Sequence, residues 1–367
     1  MDLPPTGHEP VMLREVLELL APSSGQTVVD CTVGRGGHAL AIGQRLGSDG
    51  LLIGLDADPR NLEFAAGQLK SLPCRVRLFH ANFAKLSSVM EEVGNPAVGG
   101  ILADLGVSTN QLFDPAYGLS FDRAMPLDMR LDPELPENAA DLVKKLPEES
   151  LANVLYQLAQ ERYSRQIARK IVETRKISPI RDTEALAELV RSAIPRRGGP
   201  PERIDPATRT FLALRMAVNR EMENLRELLK QGPAALGTGG RMAVISFQSM
   251  EDRSVKQAFR SLEQTGVMKV MTKRPLSPCD EECARNPRAR SAKMRVGIRV
   301  AGCELRVASE SQRTINSQLA TRNSQLRILV SGFGFIGCTP LRRGGSPNAA
   351  FRRGVASEQV CPAGVWG

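Results

Sequence analysis

Short apolar runs recur through the first third of the chain, and each ends on a polar or aromatic residue. Val28 and Val29 lead into Asp30, and Leu51–Leu55 leads into Asp56. The alternating "RVRLFHANF" reaches Asn82 and Phe83, and "VGGILADLGVS" reaches Asp104 and Gly106. Runs this brief and this apolar predict strands of a sheet covered on both faces. Between Asp141 and Ile194 the period changes. Leu151, Val154, Leu155 and Leu158, then Ile167 and Ile171, recur at helical spacing. Within "SPIRDTEALAELVRSAIP", Asp182 or Thr183 supplies an N-cap and Pro195 follows the last turn. A Gly/Pro loop, "RRGGPPERIDP", comes next, and "ATRTFLALRMAVNREMENLRELLKQ" predicts one long amphipathic helix. Strand character resumes over Gly239–Phe247. This order predicts one α/β domain in two pieces, 1–135 and 207–300, with a helical insert at 136–206 and a further segment at 301–367.

The strand ends carry the chemistry. In "VVDCTVGRGGHA" a buried strand passes through a glycine turn into a helix, the arrangement with which open α/β sheets hold nucleotide-like ligands at their carboxyl edge. The glycines read G-x-G-G-H, not the G-x-G-x-x-G of dinucleotide sites, so a nicotinamide cofactor fits poorly. Asp56 follows roughly 20 residues later, where an acid accepts both hydroxyls of a ribose. An adenosine ribose without a phosphate cradle points to S-adenosylmethionine.

Composition narrows the class. The 367 residues are 42% apolar, as in an ordinary globular enzyme. No apolar run approaches the roughly 20 residues that span a bilayer, and "MDLPPTGHEP" has no leader character, so a cytoplasmic protein without membrane contact is expected. The seven cysteines are scattered, and the close pair Cys279 and Cys283 lacks the further ligands of a zinc site, so no metal is expected. The net charge of +9 suggests a polyanionic partner, but residues 301–367 hold eight arginines and three glutamates, over half of that excess. That segment is expected to be a weakly ordered tail, and the function does not rest on it. Arg162, Arg165 and Arg169 on the insert and Arg196, Arg197 and Arg203 in its loop are expected to form an RNA surface if the insert folds back over the strand ends.

Seven stretches in order, "VVDCTVGRGGHA", "GLDADP", "LADLGVSTNQLFDPAYGLSF", "PLDMRLDP", "PATRTFLALRMAVNREM", "ISFQSMEDRSVK" and "NPRARSAKMR", resemble the motifs of the RsmH (MraW) family of ribosomal RNA methyltransferases over roughly residues 7–300. The resemblance implies a Rossmann-like class I S-adenosylmethionine-dependent methyltransferase with an inserted helical domain. It implies methyl transfer to the exocyclic N4 of a cytidine in the decoding region of 16S rRNA, with small-subunit rRNA or the 30S particle as partner. It places cofactor contacts on Gly36, Gly37, His38, Asp56, Phe83, Asp104 and Gln111. The competing reading is a non-catalytic RNA-binding or assembly factor that keeps the fold.

A cytosine N4 lone pair is delocalised into the ring, so the site needs hydrogen-bond acceptors that favour a pyramidal nitrogen. Where other amino-methyltransferases have Asp/Asn-Pro-Pro-aromatic, this chain has Asp104-Leu-Gly-Val-Ser108. Asp104 is the first candidate acceptor, then the carbonyls of Leu105 and Gly106, with Ser108 as a polar neighbour. Phe113, Tyr117 and Phe121 offer stacking surfaces for a pyrimidine. Gln248 stands where the family commonly has His and is expected to position a base or phosphate. Arg288 and Arg290, with Lys293 and Arg295, offer charges for phosphates.

Overall fold

The computed structural model describes residues 10–195 and 205–301. Arg196, Arg197 and Arg203, and the tail from 302 onward, lie outside the described residues. The first half alternates helices and strands: α1 Leu13–Leu20, β1 Thr27–Asp30, α2 Gly37–Leu46, β2 Leu51–Asp56, α3 Pro59–Leu69, β3 Arg75–His80, α4 Leu86–Val93 and β4 Val98–Asp104. Then come helices alone: α5 Thr109–Phe113, α6 Ala139–Lys145, α7 Glu148–Ala159, α8 Ser164–Ile177, α9 Thr183–Ala193, α10 Ala207–Val218 and α11 Glu221–Ala235. The chain closes with β5 Leu236–Ser246, α12 Ser249–Gln264, β6 Met268–Val270, α13 Asp280–Arg285 and β7 Lys293–Arg299. None of the described helices is long and apolar enough to cross a membrane.

The strands form one sheet in the order β3-β2-β1-β4-β5-β7-β6. The first five run parallel, and β7 is antiparallel to both neighbours. The order reverses between β1 and β4, which makes the crevice outside their carboxyl ends the binding position of an open α/β sheet. The antiparallel β7, slotted between β5 and β6, separates this sheet from the 3-2-1-4-5-6 order of dinucleotide folds.

Alternation along the buried strands sorts their side chains into two cores. Val29, Ile53, Ile101, Ala103, Met242 and Val244 face α4, α11 and α12. Val28, Leu52, Leu102, Ala243 and Ile245 face α1, α2 and α3. A third cluster, from Tyr117 to Val218, is built by the helices between β4 and β5 together with α10.

Two boundaries differ from the sequence expectation. Strand β5 starts at Leu236, and the single long helix is broken into α10 and α11. The break is a tertiary event. Asn219 Nδ2 donates to the carbonyls of Met129 (2.8 Å) and Arg215 (2.9 Å), its Oδ1 accepts from Leu131 N–H (2.8 Å), and Arg220 turns to φ 51°. The α9 boundary is as expected: the Asp182 carboxylate accepts from Ala185 N–H at 2.8 Å.

Candidate active site

A cavity of about 670 Å³ opens at the carboxyl ends of β1, β2, β4 and β5, within the usual range of about 300–1,000 Å³ for small-molecule sites. Asp30, Asp56 and Asp104 are the last residues of β1, β2 and β4, three adjacent strands. Between β1 and α2 the chain makes its glycine turn. Gly36 caps α2 at φ 89°, which a residue with a Cβ rarely adopts. A Cβ on Gly37 would stand 3.2 Å from the Pro10 ring. The turn is tied to the next strand end, since Gly34 N–H donates to Asp56 Oδ2 at 2.7 Å.

Asp56 also accepts from Asp58 N–H through Oδ1 at 2.8 Å. Each of its oxygens keeps a lone pair for the cavity that it lines. Burial pushes its carboxyl up to about 6. Asp30, 1% exposed, accepts from Thr32 N–H through Oδ1 at 3.1 Å, while Oδ2 is buried without a partner. Burial, then the charge of Asp56, raises Asp30 to about 7. Asp104 donates its backbone N–H to Thr32 Oγ1 at 2.7 Å, and its Oδ1 is likewise buried and unpartnered. Burial, then the charges of Asp30 and Glu251, holds its carboxyl well above the usual range.

His38 joins this cluster. Its Nε2 meets the Val11 carbonyl at 2.9 Å, so that nitrogen carries the proton, and Nδ1 faces Asp104 Oδ2 at 3.8 Å. Burial and neighbouring carboxylates raise all three acids. Since a buried charge needs a partner, the unpartnered Asp104 Oδ1, on a residue of the cavity wall, marks a place for a cationic ligand, while Asp30 lies outside the lining.

The segment after β4 is anchored to the segment after β2. Asp58, 1% exposed, caps α3 and accepts from Gln111 Nε2 (2.7 Å) and Tyr117 OH (2.6 Å). Gln111 Oε1 accepts from Ser108 N–H at 3.0 Å. The reciprocal contact of this capping box is too loosely formed to count as a hydrogen bond, so Ser108 Oγ is buried unpartnered. All seven residues expected at the cofactor, with Ser108 and Arg288, line the cavity.

Several expectations need correction. Tyr117 is held by Asp58, and Phe121 packs on Phe211 with ring centres 4.7 Å apart, so both close the loop against the helical core. Phe113 alone of the three stays open, 45% exposed beneath the Arg288 guanidinium at 5.5 Å. Arg288 Nη1 donates to Thr109 Oγ1 at 2.8 Å and Nη2 is buried without a partner. Arg290 is exposed and does not line the cavity. Arg295 is withdrawn from any phosphate, 5% exposed and bound to Asp252 at 2.6 and 3.2 Å. Gln248 caps α12 and does not line the cavity. Arg165 and Arg169 on α8, and Arg162 just before it over the Tyr163 ring, are exposed and do not line the cavity, with Arg169 paired to Glu148.

The sequence reading missed one wall altogether. Asn219, Glu221 and Asn224, at the break between α10 and α11, and Glu251, in the first turn of α12, line the cavity. The Gln248-to-Glu251 spacing of a capping box was a signal for Glu251.

Residues 5–300 match the model of the MraW methylase family. The chain is 47% identical over 303 residues to "Ribosomal RNA small subunit methyltransferase H" of Syntrophotalea carbinolica, covering 78% of this chain and 96% of the relative. It is 46% identical over 288 residues to the protein of the same name from Solibacter usitatus, covering 78% and 98%. A solved rRNA methylase from Streptococcus thermophilus shows a fainter likeness, with TM-score 0.37 and 12% identity over 78% of this chain and 93% of that one. With a match that runs from the glycine turn through β7 and relatives covered almost end to end, the chain belongs to the MraW methylase family.

Proposed function

We propose that this protein is an S-adenosylmethionine-dependent methyltransferase that modifies the exocyclic N4 of a cytidine in small-subunit rRNA, acting in the cytoplasm. The observation that carries the cofactor is the buried, unpartnered Asp104 Oδ1, on a residue that lines the cavity at the β1/β4 crevice. Bound there, S-adenosylmethionine supplies a methyl group activated by a sulfonium charge. The residues fit it. Gly36 and Gly37 let backbone approach the amino-acid end, Asp56 offers lone pairs to the ribose diol, and Phe83 flanks the adenine. His38 and Gln111 hold Asp104 and the following loop in register. The substrate class rests on the named relatives.

In the reaction Asp104 accepts an N–H of the target amine through Oδ1 and draws the nitrogen toward a pyramidal, nucleophilic form. Ser108 Oγ offers a further polar contact. Arg288 and Arg290, on one turn, and Arg196 and Arg197 in the loop meet RNA phosphates. The test is mass spectrometry of the rRNA decoding segment from cells with and without the gene, joined to a transfer assay on purified RNA and on 30S particles. The Asp104→Asn variant should keep RNA binding and lose transfer. Normal turnover by that variant would remove Asp104 from the chemistry, and RNA binding without transfer by the wild type would favour an assembly factor.

A further inference from the structure

The exocyclic amine of cytosine has two N–H groups, and the strand ends provide an unpartnered acceptor for one of them. The crevice fixes the side from which a second must come. The glycine turn after β1 and Asp56 after β2 lie on one side of β4, so the cofactor occupies that side. A nucleophile attacking a methyl group approaches from the face opposite the sulfur. The target base therefore lies over β4 and β5. These strand ends are adjacent: Asp104 is in register with Ile245, Leu105 N–H donates to the Ile245 carbonyl at 2.9 Å, and a Cβ on Gly106 would stand 3.3 Å from the Phe247 ring.

Glu251 stands on this side. It lines the cavity, is 3% exposed, and accepts from Phe247 N–H (3.0 Å) and Gln248 N–H (2.9 Å), both through Oε2. Among the described residues no hydrogen bond engages Oε1. Glu221, the other carboxylate of that wall, is committed to a bidentate pair with Arg215 at 2.8 and 2.9 Å. Capping needs no charge at this position, since Gln makes the same cap; the Glu251 charge acts on buried Arg215, whose guanidinium is bonded to Glu221, and on the cavity that Glu251 lines.

We propose that Glu251 is the base-side catalytic carboxylate, whose Oε1 accepts the second N–H of the target amine and takes its proton during transfer. This rests on the methyltransferase reading. Asp104 Oδ1 and Glu251 Oε1 hold one hydrogen each. The N4 lone pair forms the new N–C bond, the electron pair of the breaking C–S bond goes to sulfur, and the N4 proton passes to Glu251, which releases it to solvent after the product leaves. The developing positive charge on nitrogen meets two carboxylates in a site that excludes water. Uracil would set a carbonyl oxygen against both acceptors, so the same pair rejects it.

Glu251→Gln tests this while keeping the cap, since the amide oxygen still accepts both backbone N–H groups and turns its N–H₂ toward the amine. The unfolding temperature should be unchanged and the S-adenosylmethionine and RNA affinities should stay within about twofold, while the single-turnover rate falls about 100-fold or more. Transfer within about threefold of wild type would overturn the proposal, as would a loss of cofactor affinity matching the loss in rate. Should the variant not fold, RNA carrying 3-deazacytidine at the target decides on the unaltered protein. That base keeps the amine and lacks N3, so it should be methylated within about tenfold of cytidine. A collapse of its rate would reassign Glu251 to N3. Absence of N4 methylation by the wild type on normal RNA would remove the enzyme reading together with this one.

Discussion

Exchanging S-adenosylmethionine for S-adenosylhomocysteine removes one positive charge from the ligand and changes little else, which isolates the response of the buried carboxyls to that charge. In the empty protein Asp30 titrates at about 7, and Asp104 is raised well above its ordinary value by burial and by the charges of Asp30 and Glu251. Both therefore hold their protons to higher pH than an ordinary carboxyl does. A unit positive charge about 4 Å from a carboxylate, at the effective dielectric suited to such sites, is worth about 4 kcal/mol. That corresponds to a downward pull of about three pK units on a carboxyl at that distance, which favours the ionised form of Asp104. Binding of the sulfonium should therefore expel a proton, and binding of the neutral thioether should not.

The sign follows. S-adenosylmethionine affinity should rise with pH, by up to tenfold per unit, until the empty-site carboxyl is itself ionised, whereas S-adenosylhomocysteine affinity should stay level. Calorimetry between pH 6 and 8 in two buffers of different ionisation enthalpy reads the proton directly. Release approaching one proton for the sulfonium ligand is expected, and Asp104→Asn should abolish it. Equal proton release for both ligands, or equal pH slopes, would refute the assignment of the acid cluster to the sulfonium. The ionised Asp104 is also what the reaction needs as an acceptor, so cofactor binding prepares the site for the base.

The same cluster sets a stability cost. Because the pKa of Asp30 is raised on folding, its effect is neutral below about pH 4 and destabilising as pH climbs to about 7, by up to about 4 kcal/mol. Asp30→Asn removes the charge and leaves a buried amide costing about 1–3 kcal/mol, so thermal unfolding at pH 8 should show a net gain of about 1–3 kcal/mol while cofactor affinity falls; a lower melting temperature would contradict this. Asp56→Ala removes the acceptor for the ribose and releases Gly34 N–H, and should weaken cofactor binding by about 2 kcal/mol or more in calorimetry. Arg288→Ala should lower RNA affinity and reduce the slope of its salt dependence by about one unit while cofactor affinity is unchanged. An unaltered slope would show that Arg288 touches no phosphate.

The strand ends were legible in the sequence because each apolar run stops at the carboxyl edge of the sheet, where Asp56 and Asp104 line the cavity and Asp30 closes β1. Asp30, Asp56 and Asp104 needed no more than that pattern and a glycine turn. The wall made by Asn219, Glu221 and Asn224 was not legible. Phe211, Leu214 and Val218 continue into Met222, Leu225 and Leu229 with no Gly or Pro between Ala217 and Asn224, so nothing local interrupts the helical period. The interruption comes from Asn219 reaching Met129 and Leu131, nearly ninety positions earlier. Arg295 misled for a related reason, since an arginine paired in a buried strand and one facing solvent look alike in a basic run. Tyr117 did too, because its role depends on Asp58, which lies in a different motif.

That Asp58 contact has a mechanical consequence. Asp56 grips the glycine turn, Asp58 two residues on grips Gln111 and Tyr117, and Gln111 in turn holds Ser108. Asp58 also caps α3 through Arg60 N–H at 3.0 Å. The turn held by Asp56 and the loop that carries Ser108 are therefore ends of one short chain of hydrogen bonds, those to the Asp56 and Asp58 carboxylates charge-assisted, in partly buried surroundings where each is worth more than it would be in water. Ordering either end orders the other. Under the proposed function, a cofactor that fixes Asp56 would fix Ser108 as well, and the loop would meet the base already set.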